Sequence, residues 1–151
     1  MANNISGYKQ ELMAANAFHQ NMEVAGFRST DVFCTDKFNR KITFSKPADI
    51  KSGIDQLLTL FATEFEKAVD VPALALCFAR FFYVFISIHP YEDANRRTAF
   101  TFLERRAKEK SYEIYSIDLL RRVLLEGAVT EEMQKLRSLF IKILKPQQQG
   151  A

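Results

Sequence analysis

The sequence predicts a mainly α-helical single domain: a helical bundle around one buried central helix, with one small β-hairpin. Three observations carry this. The run Val71 to Ile88 is almost wholly apolar, which describes a helix buried on nearly all sides. Other segments place apolar residues at helical intervals of three and four. Only two short β-prone runs occur, and no internal repeat, linker or second domain is visible. At 151 residues the chain suits one domain with a single sizeable core.

In order, Ser6 to Ala25 reads as a helix whose apolar face is Tyr8, Leu12, Ala15, Phe18 and Met22, with Gly26 as the residue after its end. His19 lies beside that face and has no metal partner at suitable spacing, so a packed or solvated role is expected. Asp31 to Cys34 and Lys41 to Phe44 are the β-prone runs. The polar residues between them predict a hairpin with a loop longer than the minimal turn. Pro47 breaks the strand. Asp49 or Ser52 then caps a helix striped by Ile54, Leu57, Leu58, Phe61 and Phe65, a core face rather than a cofactor box.

Asp70-Val71-Pro72 opens the central helix, with proline in a first-turn position that needs no N–H donor. A helix from near Arg96 to about Lys108 buries Phe100, Leu103 and Ala107, with Glu104 placed to pair with Lys108. Ser116 caps a short helix stopping at Gly127. Thr130 caps the last helix, with Glu131 and Glu132 in its first turn and Lys145-Pro146 at its end. The domain is expected over residues 1–146, and 147–151 as a disordered tail.

Bulk numbers exclude several classes. Hydrophobic residues make up 48% and charged residues 26%, ordinary for a globular protein. Net charge is +3, but Glu104 and Glu109 interleave with Arg105, Arg106, Lys108 and Lys110. This predicts a solvated helix face rather than a nucleic-acid patch. Cys34 and Cys77 lack metal or redox spacing and read as reduced thiols. MANNISGYKQ has no apolar signal-peptide region, and Arg80 in mid-run argues against a membrane span, so a cytoplasmic location is expected.

The chemistry concentrates in the stretch from Ile88 to Phe100. Asn95 is a good N-cap, yet Arg96 and Arg97 follow it and put positive charge at the positive end of the helix dipole. That placement is relieved when an anion sits there, since free N–H groups and guanidinium forks converge on one point. Phosphate is the natural anion. His89 supplies a base near neutral pH and Asp93 a hard oxygen ligand suited to Mg²⁺. Taken singly, the plainer readings are a capping His89, a turn residue at Asp93 and an Arg97 paired with a core carboxylate.

As a whole the stretch HPYEDANRR resembles the signature of the Fic/Doc (Fido) family, His-x-Phe-x-Asp/Glu-Gly/Ala-Asn-Gly/Lys-Arg. It matches at His89, Asp93, Ala94, Asn95 and Arg97, with Tyr91 for the family Phe. The element order is also that of a Fido-type helical bundle, and the C-terminal part is similar to death-on-curing toxins.

The resemblance implies transfer of a phosphate-containing group, phosphate or AMP, from ATP or another NTP to a Ser, Thr or Tyr hydroxyl of a target protein. By position, His89 is implied as general base and Asp93 as Mg²⁺ ligand. Asn95 and Arg97 are implied as phosphate-binding residues, joined by the extra charge of Arg96, and Tyr91 as a structural anchor. The hairpin around Lys37, Phe38, Asn39 and Arg40 is implied as a flap that docks the target by strand addition. Ala94, Arg96 and Phe100 depart from the AMP-transferring pattern toward the death-on-curing branch, while Pro90 and the longer flap pull the other way. No Ser/Thr-x-x-x-Glu-Gly/Asn helix is present, so any inhibitor is expected to be a separate antitoxin chain. An effector of this family would act in a host cytoplasm. The alternative is a catalytically degenerate Fido protein that serves as a protein-binding module.

Overall fold

The computed structural model describes residues 5–35, 39–115 and 133–147. Five helices run through them: α1 (Ile5–Gln20), α2 (Pro47–Lys67), α3 (Val71–Ile88), α4 (Asn95–Glu109) and α5 (Met133–Ile143). Strands β1 (Phe33–Thr35) and β2 (Lys41–Thr43) pair antiparallel, with Cys34 opposite Ile42. This is the mainly α bundle with a hairpin that the sequence predicts.

Helix α3 is its axis. Asp70 caps it, accepting from the Ala73 N–H at 2.9 Å, and Pro72 lies in the first turn. Most of its apolar side chains are buried, because α2, α4 and α5 pack against it. By length and composition α3 could cross a membrane, but enclosure by these helices accounts for its apolarity. Arg80 projects from its exposed side into an ion pair with Glu64 of α2. Phe61, Phe78, Phe81, Phe85 and Phe102 form the aromatic centre, and Phe81 and Phe102 stack at 4.8 Å. Cys77 is a buried free thiol, pushed up to about 12 mainly by burial.

Several expectations are corrected. Helix α1 stops at Gln20, not Ala25. Asn21 takes the left-handed conformation (φ 56°), and Met22 N–H reaches back to Ala17 O at 2.9 Å. Asn therefore does here what Gly26 was expected to do. Phe18 is 79% exposed, and the inner face carries Asn16 instead, fully buried. Phe18 lies about 60° further round the helix than Ala15, on the side away from Leu12, whereas Asn16 flanks Leu12.

Helix α2 starts at Pro47 itself, with no side-chain cap from Asp49 or Ser52. Proline at the first position has its φ preset and no N–H to satisfy. Arg106, expected on a solvated face, is 4% exposed. It bonds Glu11 at 2.9 Å and Glu109 at 3.0 Å and lies over the Tyr8 and Phe102 rings. Glu104 makes no ion pair with Lys108 among the described residues.

A second small sheet is an addition to the predicted fold. β3 (Tyr112–Ile114) pairs antiparallel with β4 (Leu144–Pro146), so Lys145 and Pro146 belong to a strand rather than a helix stop. Gln147, expected to open the tail, donates to Ser111 O at 2.8 Å. The caps and stop placed at Ser116, Gly127, Thr130, Glu131 and Glu132 lie outside the described residues, as does the tail at 148–151.

Candidate active site at the α3–α4 turn

The end of α3 is held by an arginine from outside the motif. His89 is the C-cap, left-handed at φ 53°, and its N–H bonds Phe85 O. The last carbonyls of a helix have no intrahelical donor. Arg28, 3% exposed, supplies one. Its Nε donates to His89 O at 2.6 Å and its Nη2 to Ile88 O at 3.1 Å. The same guanidinium donates to Thr30 O and Ser45 O, and its backbone N–H to Pro90 O. One buried side chain thus ties the central helix, the motif loop and both ends of the hairpin segment together.

The loop is locked from within. Tyr91 is buried beside Phe27 and Phe85, as its anchoring role implied. Asn95 is not the N-cap that its sequence position predicts; Ala94 is, in the left-handed conformation (φ 62°). The Asn95 Oδ1 accepts from Tyr91 N–H and its Nδ2 donates to Tyr91 O, both at 2.9 Å. A side chain bonded to both backbone groups of one loop residue cannot also reach forward to cap. One amide hydrogen of Asn95 remains available. Asn16 of α1 buttresses the turn, donating to Asp93 O at 2.9 Å and Thr98 Oγ1 at 3.1 Å.

A left-handed alanine costs about 1–2 kcal/mol, whereas glycine there returns about 0.4–1 kcal/mol to the unfolded chain. Ala94→Gly is therefore expected to stabilise the protein by up to about 1 kcal/mol in urea unfolding. A loss of stability would mean that the methyl group packs rather than strains.

A cleft of about 690 Å³ opens at the start of α4. His89, Asp93, Asn95, Arg96 and Arg97 line one half, and His19, Phe100, Thr101 and Glu104 the other. His89, Asp93, Asn95, Arg96 and Arg97 thus share one cleft. Of the flap residues, Lys37 and Phe38 lie outside the described residues, and Asn39 and Arg40 are exposed and do not line the cleft. The hairpin segment meets the site through Phe44, whose ring stacks on the His89 imidazole at 4.1 Å and 15°.

Electrostatics follow from this packing. His89 is pushed down to about 4, by burial first and then by Arg28 and Arg96, against the Ile86 backbone and Asp93. Its Nδ1 is buried. The imidazole is therefore neutral at pH 7, the form that accepts a proton.

Arg96 is half-buried, and burial lowers its proton affinity. Neither Arg96 nor Arg97 has an ion pair among the described residues, and helix geometry leaves the first N–H groups of α4 unbonded. Asp93 accepts from the Ala94 N–H at 2.7 Å through Oδ1, which leaves its second oxygen to the cleft. No cluster of three or more metal-ligating side chains exists among the described residues. A Mg²⁺ held by one carboxylate and substrate phosphates fits this donor set; an all-protein metal cage does not.

Sequence reasoning missed Arg28, Asn16 and Phe44 and left His19 outside the site. Only His19 carried a signal, an imidazole bordering an apolar helix face.

The fold and site define a helical protein with two arginines at a helix start beside a neutral histidine. A model of the Fic/DOC family matches residues 8–105. The chain belongs to the Fic/DOC family.

Crystal structures of similar fold include the N-terminal Fic domain of a VirB-translocated Bep effector from Bartonella quintana with bound ADP (TM-score 0.62, 16% identity, 81% of this chain and 64% of that one). BepC from Bartonella tribocorum with bound AMPPNP is similar (0.63, 18%, 82% and 66%). So is a Fic-domain signalling protein from Bacteroides thetaiotaomicron (0.58, 17%, 92% and 65%). The chain spans less than two thirds of the length of each. No curated protein matches it.

Proposed function

We propose that the protein is an NTP- and Mg²⁺-dependent transferase that moves a phosphate-containing group from ATP or another NTP onto a hydroxyl of a target protein. The observation that carries this reading is the pair Arg96 and Arg97. They crowd a helix start without acidic partners among the described residues, in the same cleft as neutral His89. Nucleotides bound to structural neighbours support the same substrate class.

In this reading His89 takes the proton of the target hydroxyl as its oxygen forms the new P–O bond. The bond to the leaving group breaks, releasing ADP if the terminal phosphate moves or pyrophosphate if AMP moves. Arg96, Arg97 and the free N–H groups of α4 stabilise the transferring group's charge. Asp93 would hold Mg²⁺, which neutralises phosphate charge when bound. Asn95 contributes its remaining amide hydrogen while its other bonds keep the loop in shape.

The side chain of Arg96 and the apolar Phe100 favour phosphate transfer over AMP transfer. A toxin role with a separate inhibitory chain belongs to the same reading. Incubation with Mg²⁺, lysate and ATP labelled at the α or γ position should leave γ label on a protein band. Arg97→Ala should remove that label. Retention of α label instead would assign AMP transfer, and retention of neither would overturn the proposal.

A further inference from the structure

We propose that the cleft continues past its phosphate corner into a nucleoside subsite formed by His19, Thr101 and Glu104, which receives hydrogen-bond donors of the nucleotide's ribose or base. The inference rests on the phosphate reading above and extends it to the rest of the ligand.

Arg97, Thr101 and Glu104 recur at intervals of four and three along α4, and all three line the cleft. Such residues share one helix face. At roughly 1.5 Å of rise per residue, Glu104 lies about 10 Å along the axis from Arg97. That is further than one phosphate extends, and it leaves room for a sugar and a base. His19 of α1 forms the facing wall, its Nε2 at 2.8 Å from Thr101 Oγ1.

The hydrogen-bond inventory sets what this end can recognise. Thr101 has one hydroxyl proton, and it is donated to Arg97 O at 3.0 Å. The hydrogen in the His19–Thr101 bond therefore sits on His19 Nε2, which leaves Nδ1 as an acceptor. Burial, and then Arg97, lower the proton affinity of His19, so the neutral ring persists at pH 7. Glu104 adds a carboxylate with no ion pair among the described residues.

The cleft is thus polarised along α4, with guanidinium groups at one end and acceptors at the other. Among the described residues lining the cleft, Asp93 is the one carboxylate at the cationic end, where it fits a metal. A polyphosphate is drawn to the arginines and repelled by Glu104. A group rich in N–H or O–H donors is suited to the far end.

Calorimetric titration of the full chain with Mg-ATP and with Mg-tripolyphosphate, which has no nucleoside, tests this. Wild type should bind ATP at least tenfold more tightly than tripolyphosphate. His19→Ala and Glu104→Gln should each weaken ATP by about tenfold, the loss of one good hydrogen bond. Neither should bind tripolyphosphate more weakly, which also shows that the variants fold.

If the loss in the variants vanishes with 2′-deoxy- or 3′-deoxyATP, the partner is the ribose. If it vanishes with purine riboside triphosphate, the partner is the base amine. Either result supports the subsite. Equal wild-type affinity for ATP and tripolyphosphate, or variants that bind ATP like wild type, would overturn it while leaving the phosphate reading intact. Wild type that binds neither ligand would bring down both.

Discussion

His89→Ala is expected to slow transfer by about 10²–10⁴-fold, the usual contribution of a positioned general base. Nucleotide binding should survive, because the phosphate contacts come from α4. The variant should also change how stability depends on pH. In the folded protein His89 is pushed from 6.5 down to about 4, chiefly by burial. Between those values the unfolded chain takes up a proton that the folded one refuses, so stability falls as the pH drops from about 6.5 toward 4. The gap corresponds to roughly 3 kcal/mol in the limit. His89→Ala should be flatter than wild type across that window in urea unfolding. Bound nucleotide, being anionic, should raise the imidazole's proton affinity, readable as a shifted ring-proton titration by NMR. A variant that transfers label at the wild-type rate would remove His89 from the chemistry.

Arg28→Met is expected to have the largest effect on stability. The substitution keeps an unbranched chain but strips hydrogen bonds from the carbonyls of Ile88, His89, Thr30 and Ser45. Leaving a buried carbonyl unpaired costs about 1–3 kcal/mol. With partial relaxation and water entry, a loss of about 3–5 kcal/mol in urea unfolding follows. Arg28→Lys should recover only part, because one ammonium cannot span the fork of a guanidinium. The Met variant, which removes the charge, should let His89 titrate closer to its ordinary value, since Arg28 helps to hold it down, whereas the Lys variant keeps a cation there. A Met variant within 1 kcal/mol of wild type would show that the clamp is dispensable.

The helices built on long stripes were legible in the sequence. Ile54, Leu57, Leu58, Phe61 and Phe65 are all buried as their spacing predicts, and α3 begins and ends where Asp70 and His89 place it. The reading failed where a polar side chain serves a distant backbone. Asn16 and Arg28 are buried to satisfy groups 60 to 82 positions away in the chain, and no local pattern encodes that. Arg106 shows the same blindness, since its charge reads as surface until Glu11 is folded against it. Asn95 shows a subtler one. Its residue type predicted a forward cap, but the loop bends back far enough for Tyr91 to claim the amide. The second sheet was missed because each strand is three residues long, too short for alternation to register.

Phe44 gives the hairpin segment a direct hold on the His89 imidazole. The ring follows β2 without a break and shields one face of His89 from water, and that shielding contributes to the low proton affinity. A target strand that pulled β2 outward would lift the aromatic cover and admit solvent. The histidine would become more basic as the acceptor arrived. Target engagement and proton abstraction would then be parts of a single mechanical event, and a nucleotide waiting in the cleft would face a weaker base until that moment.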